Sequence, residues 1–191
     1  MQAARGTSLS DAEVNEPTSP TAPRRARAIL LFAGVAAAAY AVDLLTKLWA
    51  ASRLESGPDV RVVGDLLVFH LTRNPGAAFS TGTGYTVVLT CLAMVAVLVV
   101  LWLARRVGSP LWAVALGLLL AGVAGNLTDR IFREPAPLRG HVVDFIMLPH
   151  WPVFNVADMC INVAAVLILV QAFRGVRISG VPTDERARKC A

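Results

Sequence analysis

Four long apolar stretches constrain the fold of this chain more than any other feature of its sequence. They cover residues 28–49, 81–104, 111–128 and 153–173, and short charged segments separate them. A helix needs about 20 residues to cross a hydrocarbon core of about 30 Å. Because 55% of the residues are hydrophobic and only 16% are charged, an ordinary soluble domain is excluded. The sequence therefore predicts an all-α polytopic membrane protein with four transmembrane helices.

Lysine and arginine residues predict the orientation of these spans, because they are enriched in the cytoplasmic loops of membrane proteins. With the amino-terminus inside the cell, the cytoplasmic side holds most of the basic residues near span ends: Arg24, Arg25, Arg27, Arg105, Arg106, Arg174 and Arg177. We therefore predict that both termini are cytoplasmic and that residues 50–80 and 130–152 are outer loops.

Composition divides the chain into three parts. Residues 1–27 are rich in Ser, Thr, Pro, Ala and Arg, which predicts a disordered cytoplasmic arm. Residues 28–175 form the four-span domain, and residues 176–191 form a cytoplasmic tail. In the first outer loop, the β-branched and alternating residues of "DVRVVGDLLVFHLTRN" (59–74) are typical of short strands. We therefore expect a small β-containing extracytoplasmic subdomain beside the helices.

The sequence carries no sign of a metal, cofactor or nucleic-acid site. The net charge is +5, but the basic residues follow the predicted membrane topology and do not form a patch for nucleic acid. Neither the three histidines nor the three cysteines, Cys91, Cys160 and Cys190, have metal-ligand spacing. We therefore expect a protein that uses no metal or cofactor.

Four aspartates converge on the outer ends of the predicted spans: Asp43, Asp129, Asp144 and Asp158. A single acid at a helix end is usually a cap or an interfacial charge. Asp43 has Lys47 one turn away, and Asp129 has Arg130 and Arg133 nearby, so both could simply be paired. Together with Asn74, Asn126 and Asn155, however, they supply more polar chemistry on one face than anchoring requires.

Carboxyl groups and amides without an activated nucleophile favour acid–base chemistry by two aspartates that share one proton. The two apparent pKa values of such a pair belong to the pair rather than to either residue. Asp144 lies among Val142, Val143, Phe145 and Ile146, and Asp158 has Ala157 and Met159 as neighbours, so desolvation opposes ionisation of both. Asp129, beside two arginines, is the poorest candidate. The sequence therefore favours Asp144 and Asp158 as the pair.

Five short motifs occur in order among the spans: "DLLTK" (43–47), "NPGAAFS" (74–80), "GNLTDR" (125–130), "VVDF" (142–145) and "FNVAD" (154–158). Over residues 28–175, this series resembles that of bacterial lipoprotein signal peptidase, also called signal peptidase II. The resemblance implies a metal-free aspartic endopeptidase of the cell inner membrane, with its active site on the extracytoplasmic face. The expected substrates are diacylglyceryl-modified prolipoproteins, cut just before the lipidated cysteine, and the expected inhibitor is globomycin.

The resemblance also implies roles for individual residues. Asp144 and Asp158 match the catalytic aspartates of the family. The other matching polar positions are expected to line or brace the site: Asp43, Lys47, Asn74, Asn126, Asp129, Arg130 and Asn155. The two small residues, Gly76 and Ala77, are expected to let an outer loop approach the substrate closely.

Two other functions compete with the peptidase hypothesis. Acids inside membranes also serve as proton relays, so a small proton-coupled transporter is the main alternative. A relay needs polar residues that continue toward the inner face, and the second and third spans are almost entirely apolar there. A non-enzymatic scaffold, in which the polar cluster joins helices, is the second alternative.

Overall fold

The computed structural model of the protein describes residues 22–76 and 85–180. Within them, four helices are long and apolar enough to cross a membrane, and three short strands form one sheet. The predicted fold, a four-span helical protein with a small β-subdomain, is confirmed. The elements in chain order are α1 (Ala22–Leu54), β1 (Val60–Val63), β2 (Leu67–Asn74), α2 (Thr86–Ala104), α3 (Pro110–Phe132), β3 (Val142–Met147) and α4 (Val156–Phe173).

Helix α3 is the centre of the bundle and contacts α1, α2 and α4. Small residues allow this close packing, as is common between helices in membranes. A Cβ atom on Gly117 would lie 2.9 Å from the Phe32 carbonyl oxygen of α1. A Cβ atom on Gly122 would lie 2.5 Å from the Ala157 carbonyl oxygen of α4. The other helices keep broad apolar faces exposed, which suits contact with lipid.

The sheet has the order β1-β2-β3, with both pairs antiparallel. It packs on the end of α1 through three aromatic rings. Trp49 of α1 lies 5.4 Å from Phe69 of β2 and 6.5 Å from Phe145 of β3, centroid to centroid and edge to face. Because Phe145 follows Asp144 directly, this contact fixes β3 against the bundle. We call this end of the bundle the sheet end.

The segment after β3 turns back on it and delivers the chain to α4. The Phe154 carbonyl accepts hydrogen bonds from the Phe145 and Ile146 amides at 3.0 and 2.8 Å, and the Phe154 amide donates to the Ile146 carbonyl at 3.0 Å. The first residue of α4 therefore follows directly after a segment that is paired with β3.

The opposite end of the bundle, which we call the arginine end, holds the start of α1, the turn between α2 and α3, and the end of α4. The Arg25 side chain donates to the Arg105 carbonyl. Residues 176–180 pack on the turn, because the Trp112 indole donates to the Val176 carbonyl at 2.9 Å and the Gly108 amide donates to the Ile178 carbonyl at 3.0 Å.

Three details differ from the sequence-based expectations. Residues 22–27 were predicted as part of a disordered arm but begin α1, because the sequence "APRRAR" continues the good helix formers of the first span. The strand β3 was predicted as part of a loop. Helices α1 and α3 also continue past the ends of the apolar stretches. Residues 1–21, 77–84 and 181–191 lie outside the described residues, and with them the rest of the predicted arm, the tail end with Cys190, and part of the first outer loop.

The close approach of α3 and α4 predicts that Gly122→Ala destabilises the protein. The new methyl group would lie 2.5 Å from the Ala157 carbonyl oxygen and 2.6 Å from Ile161 Cγ1, and overpacking of this kind costs about 1–3 kcal/mol. Unfolding in detergent should show a lower midpoint for the variant.

The matched control for this variant is Gly34→Ala, where a Cβ atom has nothing within 4 Å. It should leave the midpoint unchanged or raise it, because alanine favours a helix by up to about 1 kcal/mol over glycine. Equal stability of the two variants would contradict the packing described for α3 and α4.

Candidate active site

Asp144 and Asp158 line one cavity at the sheet end of the bundle. The cavity has a volume of about 330 Å³ and lies between α3, α4, the sheet and the segment before α4. Asp144 comes from β3, and Asp158 comes from the first turn of α4. Polar and apolar side chains share the remaining wall: Asn74, Gly76, Asn126, Arg130, Val142, Trp151, Pro152, Val153, Phe154, Ile161 and Asn162.

The sheet positions Asp144. Its backbone pairs with Thr72 of β2, and its side chain is buried, with only 2% of the residue exposed. Two amides donate to the two carboxylate oxygens: Asn155 Nδ2 lies 2.6 Å from Oδ1, and Asn74 Nδ2 lies 3.0 Å from Oδ2. Asn74 is the last residue of β2, so strand pairing itself brings this amide to Asp144.

Helix capping positions Asp158. Asn155 is the N-cap of α4 and its side-chain oxygen accepts a hydrogen bond from the Asp158 amide at 3.0 Å. The Asp158 carboxylate in turn accepts a hydrogen bond from the Asn155 backbone N–H at 3.2 Å, which completes a capping box. Asn155 itself lies one residue before the helix. The capping role considered for Asp158 is therefore real, and its other oxygen, Oδ1, accepts from Asn126 Nδ2 at 2.9 Å.

Burial raises the pKa of Asp144 from its ordinary value of 3.8 to about 7. The nearby Asp158 carboxylate also raises it, because two like charges repel. The hydrogen bonds from Asn74 and Asn155 and the charge of Lys47 act in the opposite direction, and burial outweighs them. Near neutral pH, Asp144 can therefore hold a proton and release it.

Lys47 lies at the centre of a buried polar group behind the two aspartates. Its ammonium nitrogen is 2.9 Å from Asp43 Oδ2, 3.0 Å from Asp129 Oδ2 and 2.9 Å from Asn126 Oδ1. Both acids and the lysine are no more than 2% exposed. Two carboxylates and one amide oxygen therefore surround the ammonium group. Asp129 also pairs with Arg133, so both aspartates are compensated as the sequence had indicated.

The two paired acids also hold the elements that carry the cavity aspartates. Asp43 Oδ1 accepts a hydrogen bond from the Ala157 amide in the first turn of α4, at 2.8 Å. Asp129 Oδ2 accepts from the Val143 amide in β3, at 3.2 Å. Each acid therefore contacts the residue immediately before Asp158 or Asp144. Gly125 permits the first contact, since a Cβ atom there would lie 2.3 Å from Asp43 Oδ2.

Arg130 contacts a turn rather than an acid. Its guanidinium donates to the Gly76 carbonyl at 2.5 Å and to the Pro75 carbonyl at 3.4 Å. The Thr86 hydroxyl of α2 donates to the same Pro75 carbonyl at 2.7 Å. The sequence had placed Arg130 beside Asp129 as a partner, whereas the salt bridges of Asp129 are to Lys47 and Arg133. Ala77, the other small residue expected in this turn, lies outside the described residues.

Sequence reasoning missed several contributors to the cavity. The side chain of Asn162 donates to the Asp158 carbonyl in its own helix at 2.9 Å and lines the cavity. Its spacing of four from Asp158 is the signal that could have placed it there. Trp151 and Ile161 also line the cavity, and nothing in their local sequence indicates it. Outside the cavity lining, the Thr90 hydroxyl of α2 holds the loop after α3 by donating to the Leu138 carbonyl at 3.0 Å.

The side chains around the cavity suit proton transfer. Among residues 22–76 and 85–180, no three His, Cys, Asp or Glu side chains are grouped so that they could hold a metal ion. What the cavity presents is two carboxyl groups, one of them with a pKa near neutrality, and oriented amides between them. This arrangement can accept a proton from one molecule and donate one to another.

Comparisons with known proteins give one consistent result. A family model described as signal peptidase (SPase) II matches residues 35–174. The chain is 47% identical over 174 residues to the lipoprotein signal peptidase of Mycobacterium avium (strain 104), covering 90% of this chain and 96% of that protein. It is 44% identical over 170 residues to the lipoprotein signal peptidase of Rhodococcus jostii (strain RHA1), covering 89% of this chain and 84% of that protein.

Solved structures agree with the fold. A bacterial membrane enzyme determined by the in meso method at 2.3 Å resolution has a TM-score of 0.67 and 25% sequence identity, covering 78% of this chain and 89% of that chain. A second bacterial membrane enzyme, determined at 1.9 Å, has a TM-score of 0.64 and 26% identity, covering 77% and 92%.

The raised pKa of Asp144 predicts a pH-dependent gain in stability for Asp144→Asn. The wild-type side chain is ionised above about pH 4 when unfolded but only above about pH 7 when folded. The folded state therefore binds more protons between these values, and wild-type stability falls as the pH rises through them. The neutral variant does not lose stability in this way, so its stability relative to wild type should be greater at pH 8 than at pH 5, by at most about 3 kcal/mol.

Unfolding of both proteins in detergent at the two pH values tests this prediction. Asp65→Asn is the control, because Asp65 is exposed in the β1–β2 hairpin and should give the same difference from wild type at both values. A stability difference for Asp144→Asn that does not depend on pH would show that Asp144 titrates normally.

Proposed function

This chain belongs to the signal peptidase II family, and from that premise we propose that Asp144 and Asp158 act together as its catalytic pair. The family establishes the coarser function: the protein is a multi-pass membrane peptidase that removes signal peptides from prolipoproteins. The observation that supports the pair is that the two carboxyl groups, from different elements, line one cavity and share the Asn155 side chain and backbone as donors.

In the proposed reaction, the two aspartates begin with one proton between them. Asp158, as the carboxylate, takes a proton from a water molecule, whose oxygen attacks the carbonyl carbon of the scissile bond. Asp144, in its protonated form, donates its proton to the carbonyl oxygen. When the tetrahedral intermediate collapses, the carbon–nitrogen bond breaks, and the proton held by Asp158 passes to the leaving amine. The proton on the intermediate returns to Asp144, so the pair regains its starting state.

The remaining polar residues have supporting roles in this proposal. Asn74 and Asn155 orient Asp144, Asn126 and Asn155 orient Asp158, and the Asp43, Lys47 and Asp129 cluster fixes the elements that carry them. Arg130 holds the backbone at Gly76, where the absence of a side chain leaves room for a substrate backbone in the cavity. We extend the same role to Ala77 from the family motif alone.

The substrate we propose is a prolipoprotein with a diacylglyceryl group on the cysteine after the cut. The amine released is then the amino group of that cysteine. The cavity fits an amphipathic group of this kind, since its polar wall meets an apolar wall that includes Trp151, Val153 and Ile161. The diacylglyceryl chains would remain in the bilayer beside the exposed apolar faces of the helices. Globomycin is proposed to inhibit by occupying the same cavity.

The charge distribution supports the proposed orientation, with both termini cytoplasmic and the active site extracytoplasmic. At the arginine end, Arg25 bonds to the turn that carries Arg105 and Arg106, and residues 22–32, 100–112 and 168–180 contain no acid. All aspartates and glutamates of the described residues belong to the sheet end. Short loops rich in lysine and arginine are retained on the cytoplasmic side, and the turn 105–110 has two arginines in six residues. The cavity would therefore face outward.

The family assignment favours a peptidase over the transporter and scaffold alternatives. The polar network is also confined to the sheet end, and the cavity does not include residues of the arginine end. We therefore carry neither alternative further.

The proposed pair predicts that Asp144→Asn and Asp158→Asn each abolish cleavage. Each change removes a proton donor or acceptor while conserving shape, so kcat should fall by at least about 10³-fold. The measurement is cleavage of a diacylglyceryl prolipoprotein peptide by purified protein in detergent, with wild-type cleavage blocked by globomycin and retained in strong chelator.

Asp129→Asn and Asp65→Asn are the controls for this experiment. Asp65→Asn should retain full activity. Asp129→Asn should lower stability, because Asp129 pairs with Lys47 and Arg133, but its turnover per folded molecule should exceed that of either cavity variant, because Asp129 does not line the cavity. Loss of activity in Asp129→Asn with normal turnover in Asp144→Asn would show that the pair is wrong, although the enzyme class would stand.

The proposed orientation predicts which introduced cysteines are reached from outside the cell. In a background with Cys91, Cys160 and Cys190 replaced by alanine, a membrane-impermeant maleimide should label Asp65→Cys in intact cells. It should label Arg105→Cys only after lysis. Both wild-type side chains are exposed, so burial does not separate them. The reverse pattern would place the active site in the cytoplasm.

A further inference from the structure

The orientation of the Asn126 amide is determined by Lys47. An ammonium group only donates hydrogen bonds, so the Asn126 atom that lies 2.9 Å from Lys47 Nζ must be its oxygen. The amide nitrogen is then the atom that faces Asp158 Oδ1, also at 2.9 Å. Asn155 Nδ2, a second donor, lies 3.2 Å from the same Asn126 oxygen and requires the same orientation. The chemistry of the donors therefore settles the assignment of nitrogen and oxygen.

The other two amides of the cavity are oriented by neutral backbone donors. The Asn155 side-chain oxygen accepts from the Asp158 amide at 3.0 Å, and the Asn74 side-chain oxygen accepts from the Gly76 amide at 2.9 Å. Both therefore present N–H groups to Asp144. In the hydrogen bonds between described residues, Asn126 is the one of these three amides that accepts from a charged group. Its N–H bond to Asp158 is accordingly the more polarised.

We propose that Lys47 is a positioning residue that acts on Asp158 through Asn126. The lysine fixes the amide with its nitrogen toward Asp158 and polarises it, which stabilises Asp158 as the carboxylate that accepts the proton of water. The amide donors of Asp144 are held by backbone N–H groups, and burial of Asp144 outweighs the charge of Lys47, so Asp144 is the partner that keeps the shared proton. This inference rests on the proposed catalytic pair and adds a cause for the division of roles within it.

Lys47 itself does not contact the substrate in this scheme. It is 1% exposed and does not line the cavity, and its ammonium group also forms salt bridges with Asp43 and Asp129. A change at Lys47 should therefore lower kcat and leave KM nearly unchanged. A loss of site shape would change both constants.

Two double-mutant cycles test the route through Asn126. The first combines Lys47→Gln with Asn126→Ala, and the second combines Lys47→Gln with Asn74→Ala. Lys47→Gln alone should lower kcat by about 10-fold or more. In the Asn126→Ala background it should have almost no further effect, because the group through which it acts is already missing. In the Asn74→Ala background the two reductions should multiply, since Asn74 is held by Gly76 and not by Lys47.

The second cycle is the matched control, because Asn74 and Asn126 each donate one side-chain bond to one cavity aspartate. Multiplicative effects in both cycles would overturn the inference and leave Lys47 with a purely structural role. Non-multiplicative effects in both cycles would also overturn it, because they would indicate a general disturbance of the site. If Lys47→Gln does not fold, the variant Asp43→Asn/Lys47→Met replaces it in both cycles, since it removes one charge of each sign.

The same assay separates this inference from the proposed catalytic pair. If Asp144→Asn and Asp158→Asn are inactive but both cycles are multiplicative, only the role of Lys47 is wrong. If either aspartate variant retains normal turnover, the catalytic pair is wrong, and the role of Lys47 is overturned with it.

Discussion

A lysine charge buried between helices is the interaction on which the rest of this structure depends. Transfer of an ammonium group out of water costs several kcal/mol, and Lys47 recovers this through Asp43, Asp129 and Asn126. The two acids in turn accept backbone N–H groups from α4 and β3. The Lys47 ammonium group therefore joins α1 directly to α3. Through Asp43 and Asp129, it also joins these helices to α4 and to the sheet. Removal of one partner from such a group typically costs about 3–5 kcal/mol, so each partner contributes to holding these elements together.

The close contact of backbones around this charge follows from residue size. Gly125 gives Asp43 access to the first turn of α4, and Gly122 lets α4 approach α3 until backbone and side-chain atoms touch. Larger side chains would separate the helices, and a separation of one ångström would leave the acids too far from their donors. The small residues thus set the separation of the helices, and at that separation the buried acids reach their hydrogen-bond donors and become favourable.

The sequence was sufficient to predict the four spans and the convergence of the acids, because both follow from composition and from the alternation of membrane crossings. It was not sufficient for β3, where Asp144 interrupts the apolar run of a strand that is recognisable only by its partner in β2. Nor could it place Arg130, whose acceptors are backbone carbonyls of Pro75 and Gly76. Spacing identifies contacts within one helix, whereas contacts to the backbone of a distant turn leave no pattern in side-chain order.

Asp144 shows why the stabilising network and the cavity belong together. Its burial favours the protonated form, and ionisation in this position is unfavourable for the folded state at neutral pH. A carboxyl group on a loosely held strand would relieve this by moving into water. β3 cannot move in this way, because the Val143 amide is held by Asp129 and Phe145 is packed against Trp49. The energy that the Lys47 cluster and the aromatic contacts contribute to the fold thus keeps a carboxyl group where its proton is readily exchanged, which is the property that acid–base chemistry requires.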